Sequence, residues 1–184
     1  DSGSSSSDHN TQTQQPNFDI TGVSDGDSVL LKFNNIIVAS SIESGGDGFI
    51  TISPDNVQID GTYLVTAIRL DPAGNESTAA TLSPSLTIDN VNNVQPGTPD
   101  LYASDDTGNS STDNYTGDST VVFRVTNVTA GDSVIINFNG SYVNYGIVAS
   151  DSTALNITVT DYNQGIYDVT AITYDLAENL GTVS

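Results

Sequence analysis

The eleven residues Asp1 to Thr11, DSGSSSSDHNT, return as Asp106 to Thr116, DTGNSSTDNYT, with six identities at a constant separation of 105. The shared positions are Asp1/Asp106, Gly3/Gly108, Ser5/Ser110, Ser6/Ser111, Asp8/Asp113 and Thr11/Thr116. A period of this length within 184 residues predicts two copies of one small domain rather than a single larger one. The repeated segment has almost no apolar residue, a glycine free to take positive φ, and Ser and Asn side chains that bond to local backbone. It is expected to be a long ordered loop whose carboxylates point at something.

The alignment also predicts domain limits. Asp1 corresponds to Asp106, so the first repeat, 1–88, is expected to lack its opening strand. Ser184 corresponds to Ala80, so the second repeat, 99–184, is expected to be truncated at its C-terminal end. Between them, the polar, Pro- and Gly-containing stretch from Thr87 to Pro99 predicts a linker over 89–98.

Apolar residues alternate in short runs, the signature of half-buried strands. Val29, Leu31 and Phe33 match Val134, Ile136 and Phe138 after a shared Gly-Asp-Ser turn, Gly26-Asp27-Ser28 and Gly131-Asp132-Ser133. Tyr63, Val65 and Ala67 match Tyr167, Val169 and Ala171 at a separation of 104. A net slip of one residue places length changes in loops and keeps strand register. Short strands separated by Gly, Asn, Asp and Ser turns, with no amphipathic helical window, predict an all-β chain of two tandem Ig-like antiparallel β-sandwiches. Gly61-Thr62-Tyr63 and Gly165-Ile166-Tyr167 fit the corner tyrosine of such sandwiches, whose hydroxyl bonds to nearby backbone, or an ordinary core tyrosine.

Net charge is −20, with only Lys32, Arg69 and Arg124 against twenty Asp and three Glu. A chain without a basic footprint is not expected to bind nucleic acid or anionic lipid. Without cysteine there is no disulfide framework and no thiolate chemistry. No apolar run approaches a membrane span, so membrane insertion is not expected. The acidity suits either solubility in an extracellular setting or binding of hard cations.

After the tyrosine strand come Leu70-Asp71-Pro72-Ala73-Gly74-Asn75 and Tyr174-Asp175-Leu176-Ala177-Glu178-Asn179. Together with the repeated acidic loop, the Gly-Asp-Ser turn and the Gly-x-Tyr strand, these residues resemble the bacterial Ig-like tandem repeats of giant adhesins and biofilm-associated proteins exported by type I secretion. The resemblance covers the whole chain twice. It implies extender repeats in the stalk of a bacterial cell-surface adhesin, extracellular in location, with Ca²⁺ held at loops and domain junctions. Neighbouring repeats of the same chain are the implied partners, the chain itself is expected to be a monomer, and the surface or host ligand is unknown. Glu178 departs from the glycine of the family's D-x-A-G-N turn, so that turn is expected to differ in conformation or affinity.

Ca²⁺ takes six to eight oxygen ligands from carboxylates, amides, carbonyls and water. The residues predicted to supply them are Asp1, Asp8, Asp106 and Asp113 on the repeated loop, Asp71, Asn75, Asp175 and Asn179 on the late turn, and Asp89 as a ligand shared at the junction. An EF-hand pattern is absent.

No enzyme is expected. The one histidine, His9, lies in a polar loop without a counterpart, and the paired carboxylates have no evident cleft. The competing function is a ligand- or glycan-binding Ig-like module of an adhesin or of a secreted polysaccharide-degrading enzyme, for which Tyr142 and Tyr145 are the weak hint.

Overall fold

The computed structural model describes Ser2 and residues 5–184. The chain divides into two compact units, Asp1–Val91 and Asn92–Ser184. Every regular element described is a strand, as alternation with a period of two demands. The first unit contains β1 (Asn10–Thr11), β2 (Phe18–Thr21), β3 (Ser28–Phe33), β4 (Ile36–Ile42), β5 (Phe49–Ile52), β6 (Gly61–Tyr63), β7 (Val65–Leu70), β8 (Ala80–Thr81) and β9 (Leu86–Ile88). One sheet runs β4-β3-β7-β8, another pairs β2 with β5, and a third runs β1-β9-β6.

The second unit contains β10 (Asp100–Leu101), β11 (Thr120–Thr126), β12 (Ser133–Phe138), β13 (Ser141–Ile147), β14 (Ala154–Thr160) and β15 (Val169–Tyr174). Its sheets run β10-β11-β14 and β13-β12-β15. The two units share register as well as order. Leu31 stands opposite Ala67 in the first, and Ile136 opposite Ala171 in the second. Both β3/β4 and β12/β13 turn through two left-handed residues, Asn34-Asn35 (φ 49° and 68°) and Asn139-Gly140 (φ 51° and 77°). That is the turn whose twist matches antiparallel strands, and asparagine and glycine tolerate it best. Each hairpin then bulges at the same place, after Leu31 and after Ile136.

The cores follow the sequence pattern. Val29, Leu31, Phe33, Val65 and Ala67 are buried in one unit, and Val134, Ile136, Phe138 and Ala171 in the other. Tyr63, Tyr167 and Val169 are half-buried and pack against these cores. Burial of a side chain such as Leu31 or Ile136 contributes about 1.5–3 kcal/mol. Phe33 holds Phe18 edge-on at 5.8 Å and Tyr63 at 5.0 Å. Phe138 holds Phe123 at 5.7 Å and Tyr167 at 4.8 Å in the same way, and Tyr162 adds a further edge at 5.9 Å.

Both tyrosines form the corner. The Tyr63 hydroxyl donates to the Ile59 carbonyl at 2.6 Å and the Tyr167 hydroxyl to the Asn163 carbonyl at 2.5 Å, each four residues back.

The stretch expected to be a linker is tied down at each side of residue 91. Asp89 N–H donates to the Thr11 carbonyl and the Asn90 amide to the Gln12 carbonyl, within the first unit. In the second unit the Val94 carbonyl accepts the Thr173 hydroxyl, the Gln95 amide donates to the Val183 carbonyl, and Gly97 N–H donates to the Thr126 carbonyl.

Candidate cation-binding loops

The repeated acidic segment is not uniformly loop. Asn10 and Thr11 pair in parallel with Thr87 and Ile88 of β9, and Thr11 is buried. Asp8 sits just before this bridge, its Oδ1 accepting Asn10 N–H at 3.1 Å. Asp1 lies outside the described residues.

In the second unit the equivalent loop, 105–117, curls on itself. Asp105 anchors its base: Oδ1 accepts the Ser104 hydroxyl and Oδ2 accepts Val122 N–H on β11, both at 2.7 Å. Asp106 is 5% exposed, and its Oδ2 accepts Asn114 N–H at 3.1 Å. Its Oδ1 is buried with no hydrogen-bond partner. Asn114, at φ 58°, turns its side-chain oxygen onto Leu101 N–H, which ties the loop to β10. Asp113 is exposed, and its Oδ1 accepts Tyr115 N–H at 3.3 Å. Asp113 Oδ1 and the Tyr115 carbonyl both approach the open face of Gly108, 3.8 and 3.7 Å from where a side chain there would begin.

The late turn is closed by its own hydrogen bonds. Asp71 Oδ1 accepts Ala73 N–H and Asn75 N–H at 2.9 and 2.8 Å, and Oδ2 accepts the Asn75 side-chain amide at 2.7 Å. Asp175 repeats this, with Ala177 N–H at 2.8 Å and Asn179 N–H and amide both at 2.9 Å. In both copies the Asp-Asn pair is therefore a clasp that closes its own turn. The Asn75 contact above all, followed by backbone donors, holds the Asp71 carboxyl below the usual range. The substitution of Gly74 by Glu178 leaves the conformation alone, since Gly74 has φ 87° and Glu178 has φ 69°. The expected difference in conformation is therefore not found: the same left-handed position is kept, and glutamate occupies it. Asp89, the remaining predicted ligand, accepts Val91 N–H at 3.0 Å.

Among the described residues no three His, Cys, Asp or Glu side chains are grouped to hold a metal ion. The residues of the 105–117 loop nevertheless fit Ca²⁺ chemically. Asp106 offers a carboxylate oxygen that no protein donor uses, and the rest of a shell is available as carbonyl, amide and water oxygen.

Three buried carboxylates lie outside the predicted ligand set. Asp27 and Asp132 are 3% and 4% exposed and cap their turns, accepting Ser24 N–H at 2.7 Å and Thr129 N–H at 3.0 Å. Arg69 stands 3.5 Å from Asp27, but the residue equivalent to Arg69 is the buried Thr173. Burial accordingly pushes the Asp132 carboxyl up, against weaker pulls from Thr129 N–H and Asn93. The third is Glu43, 3% exposed, whose signal in the sequence is that it aligns with Val148.

His9, at φ 58°, donates from Nδ1–H to the Pro84 carbonyl at 2.8 Å. It lines an open groove beside β2 with Asp19, Ala80, Thr81 and Leu82. Among the described residues β2 pairs only with β5, whereas the equivalent β11 also pairs with β10.

The family model described as bacterial Ig-like domain matches residues 1–90 and again 93–184, so the chain belongs to the bacterial Ig-like domain family. A search of curated proteins finds no significant match. Among solved structures, the fibronectin(III)-like modules of Clostridium thermocellum CbhA are similar at 13% identity and a TM-score of 0.51, covering 95% of this chain and 84% of theirs. That similarity supports the sandwich fold. A biofilm-associated protein (BSP domain) is similar at 15% identity and a TM-score of 0.36, covering 96% of this chain and 27% of that one. A 1.5-MDa bacterial ice-binding adhesin, in a structure concerned with host cell surface retention, is similar at 18% identity and a TM-score of 0.39. The shares covered there are 98% and 59%.

Proposed function

We propose that these tandem bacterial Ig-like domains are extender repeats in the stalk of a bacterial cell-surface adhesin, and that Ca²⁺ bound to loop carboxylates stiffens them. The observation that carries the stalk reading is repetition: one small sandwich occurs twice with the same strand register, the same turns and the same tyrosine corner. A module that presents a binding site has no need to duplicate its scaffold this closely, whereas a spacer gains length with each copy. The acidic loop supplies the calcium part of the reading. Asp106 is recurrent in sequence, buried, and short of one partner, and a buried anionic oxygen is costly unless a positive charge meets it.

An extracellular-type site with Kd near 10⁻⁴ to 10⁻³ M suits this role. Calcium at about ten times Kd contributes roughly 1.4 kcal/mol per site, which matters against the ~5 kcal/mol stability of a small domain. Solution scattering and calorimetry with calcium and with chelator test the proposal. Calcium should raise the melting temperature and lengthen the maximum dimension, and Asp106→Asn should abolish the gain in the second unit. If neither quantity responds to calcium, the acidity is left as a solubility device.

A second reading, direct glycan binding, has one observation in its favour: Tyr142 and Tyr145 on the edge strand β13 are 61% and 56% exposed. Exposed aromatic rings suit sugar faces. Glycan-array binding that disappears in a Tyr142→Ala/Tyr145→Ala variant would favour it over the spacer.

A further inference from the structure

Glu43 stands in the first unit where Val148 stands in the second. The backbone equivalence is direct. Gly26 and Gly131 N–H donate to the Glu43 and Val148 carbonyls, both at 2.9 Å, and Glu43 and Val148 N–H donate to the Asp27 and Asp132 carbonyls at 2.8 and 2.9 Å. Both side chains are buried, at 3% and 2% exposure. The fold is thus satisfied by an apolar side chain at this point, and the first unit puts a carboxylate there instead.

That carboxylate is half satisfied. Oε1 accepts Gly45 N–H at 2.8 Å, while Oε2 is buried without a hydrogen-bond partner. A second carboxylate converges on it. A side chain on Gly45 would begin 3.0 Å from Asp47 Oδ2 and 3.3 Å from Glu43 Oε1, so both acids face the same side of that glycine. Gly46 and Gly48, at φ 68° and 80°, fold the loop back to bring them there. Among the described residues the ion pair in this unit is Arg69 with Asp27, and none joins a basic side chain to Glu43 or Asp47.

A buried carboxylate oxygen without a donor, with the exposed Asp47 carboxylate beside it, is stabilised by a positive partner. We propose that the loop from Glu43 to Gly48, between β4 and β5, is a site for a divalent cation of the calcium type, held by Glu43 and Asp47 and completed by backbone carbonyls and water. Oxygen-only donors and a flexible glycine loop match Ca²⁺ better than a transition metal, which would seek imidazole or thiolate. The site is independent of the 105–117 loop and belongs to the first unit alone, because Val148 removes it from the second.

The test uses the full chain freed of metal by chelator, with Glu43→Val, Asp47→Asn and Asp106→Asn variants. Glu43→Val should fold, since valine already occupies the equivalent position. Calorimetric titration with calcium chloride should give one ion fewer for Glu43→Val than for the parent, and a weakened site for Asp47→Asn. In amide spectra the Gly45 and Gly46 resonances should move saturably with calcium in the parent and in Asp106→Asn, but not in Glu43→Val. Equal stoichiometry in the parent and Glu43→Val would overturn the proposal. So would Gly45 and Gly46 resonances that follow pH and ignore calcium, which would assign the two acids a shared proton. Because Asp106→Asn leaves this loop intact, loss of calcium binding there is separable from loss of binding at Glu43.

Discussion

Alanine at Asp175 separates the two roles a turn carboxylate can have. The side chain accepts three hydrogen bonds, from Ala177 N–H, Asn179 N–H and the Asn179 amide, at 2.8 to 2.9 Å. Ala177 and Asn179 are 2% and 4% exposed, so the N–H groups released by the substitution find little water. At about 1 kcal/mol for each net hydrogen bond, the loss is about 2–3 kcal/mol for the second unit. For a domain of this size that lowers the melting temperature by roughly 10–20 °C.

The measurement is hydrogen exchange resolved by unit, alongside calorimetry, in chelator and then in calcium. The second unit should lose protection equally in both conditions and the first should be unchanged. Asp71→Ala should have a smaller effect of the same kind, because Asn75 is exposed where Asn179 is buried. If Asp175→Ala is neutral in chelator and costly only in calcium, the clasp is not structural, and the carboxylate belongs among the cation ligands as its sequence first indicated.

Glu178→Gly should stabilise the second unit by up to ~1 kcal/mol, since a non-glycine left-handed residue costs about 1–2 kcal/mol and glycine returns part of that as chain entropy; chemical denaturation reads it. Tyr167→Phe should cost about 1 kcal/mol through the lost hydroxyl bond to Asn163 while leaving the contact with Phe138 in place. Asp132 has a raised folded pKa, so its ionisation costs stability above that value and nothing below the unfolded value near 4. Asp132→Asn should therefore flatten the decline of the second unit as pH rises out of the acid range. Asp71 has the opposite sign: the stability it confers is present above the unfolded value and disappears as pH falls through its lowered folded one, which Asp71→Asn should abolish in acid melts.

The fold was legible because side-chain alternation and turn chemistry agree in both copies. Gly26-Asp27-Ser28 and Gly131-Asp132-Ser133 mark a turn before the same core strand in each copy, and Tyr63 and Tyr167 fit the corner. The site was less legible, because carboxylates look alike in sequence whether they bind a cation, cap a turn or face solvent. Asp71 and Asp175 recur as ligands would, and each also closes its turn by hydrogen bonds to Asn75 or Asn179. Asp106 recurs in the same manner and does retain an unused buried oxygen. What distinguishes them is the count of N–H donors each oxygen meets, and that depends on loop backbone which hydrophobic patterning does not encode. Glu43 belongs to no shared motif, since its counterpart is Val148, so recurrence cannot mark it.

The differences between copies show how this chain treats buried negative charge. Asp27 and Asp132 occupy the same turn, and one copy supplies Arg69 as counter-charge where the other has Thr173. Glu43 and Val148 occupy the same buried position, and here no arginine is supplied. With three basic residues for twenty-three acidic ones, most carboxylates in the chain must be solvated, turned onto N–H donors, protonated or met by cations from solution. Asp71 and Asp175 take N–H donors. Glu43 Oε2 and Asp106 Oδ1 are both buried and meet no donor. If cations from solution meet those two oxygens, as proposed above, the chain's stability is tied to the ionic content of its surroundings. The cation dependence should then be unequal between the two units, because the acids that need it are differently placed.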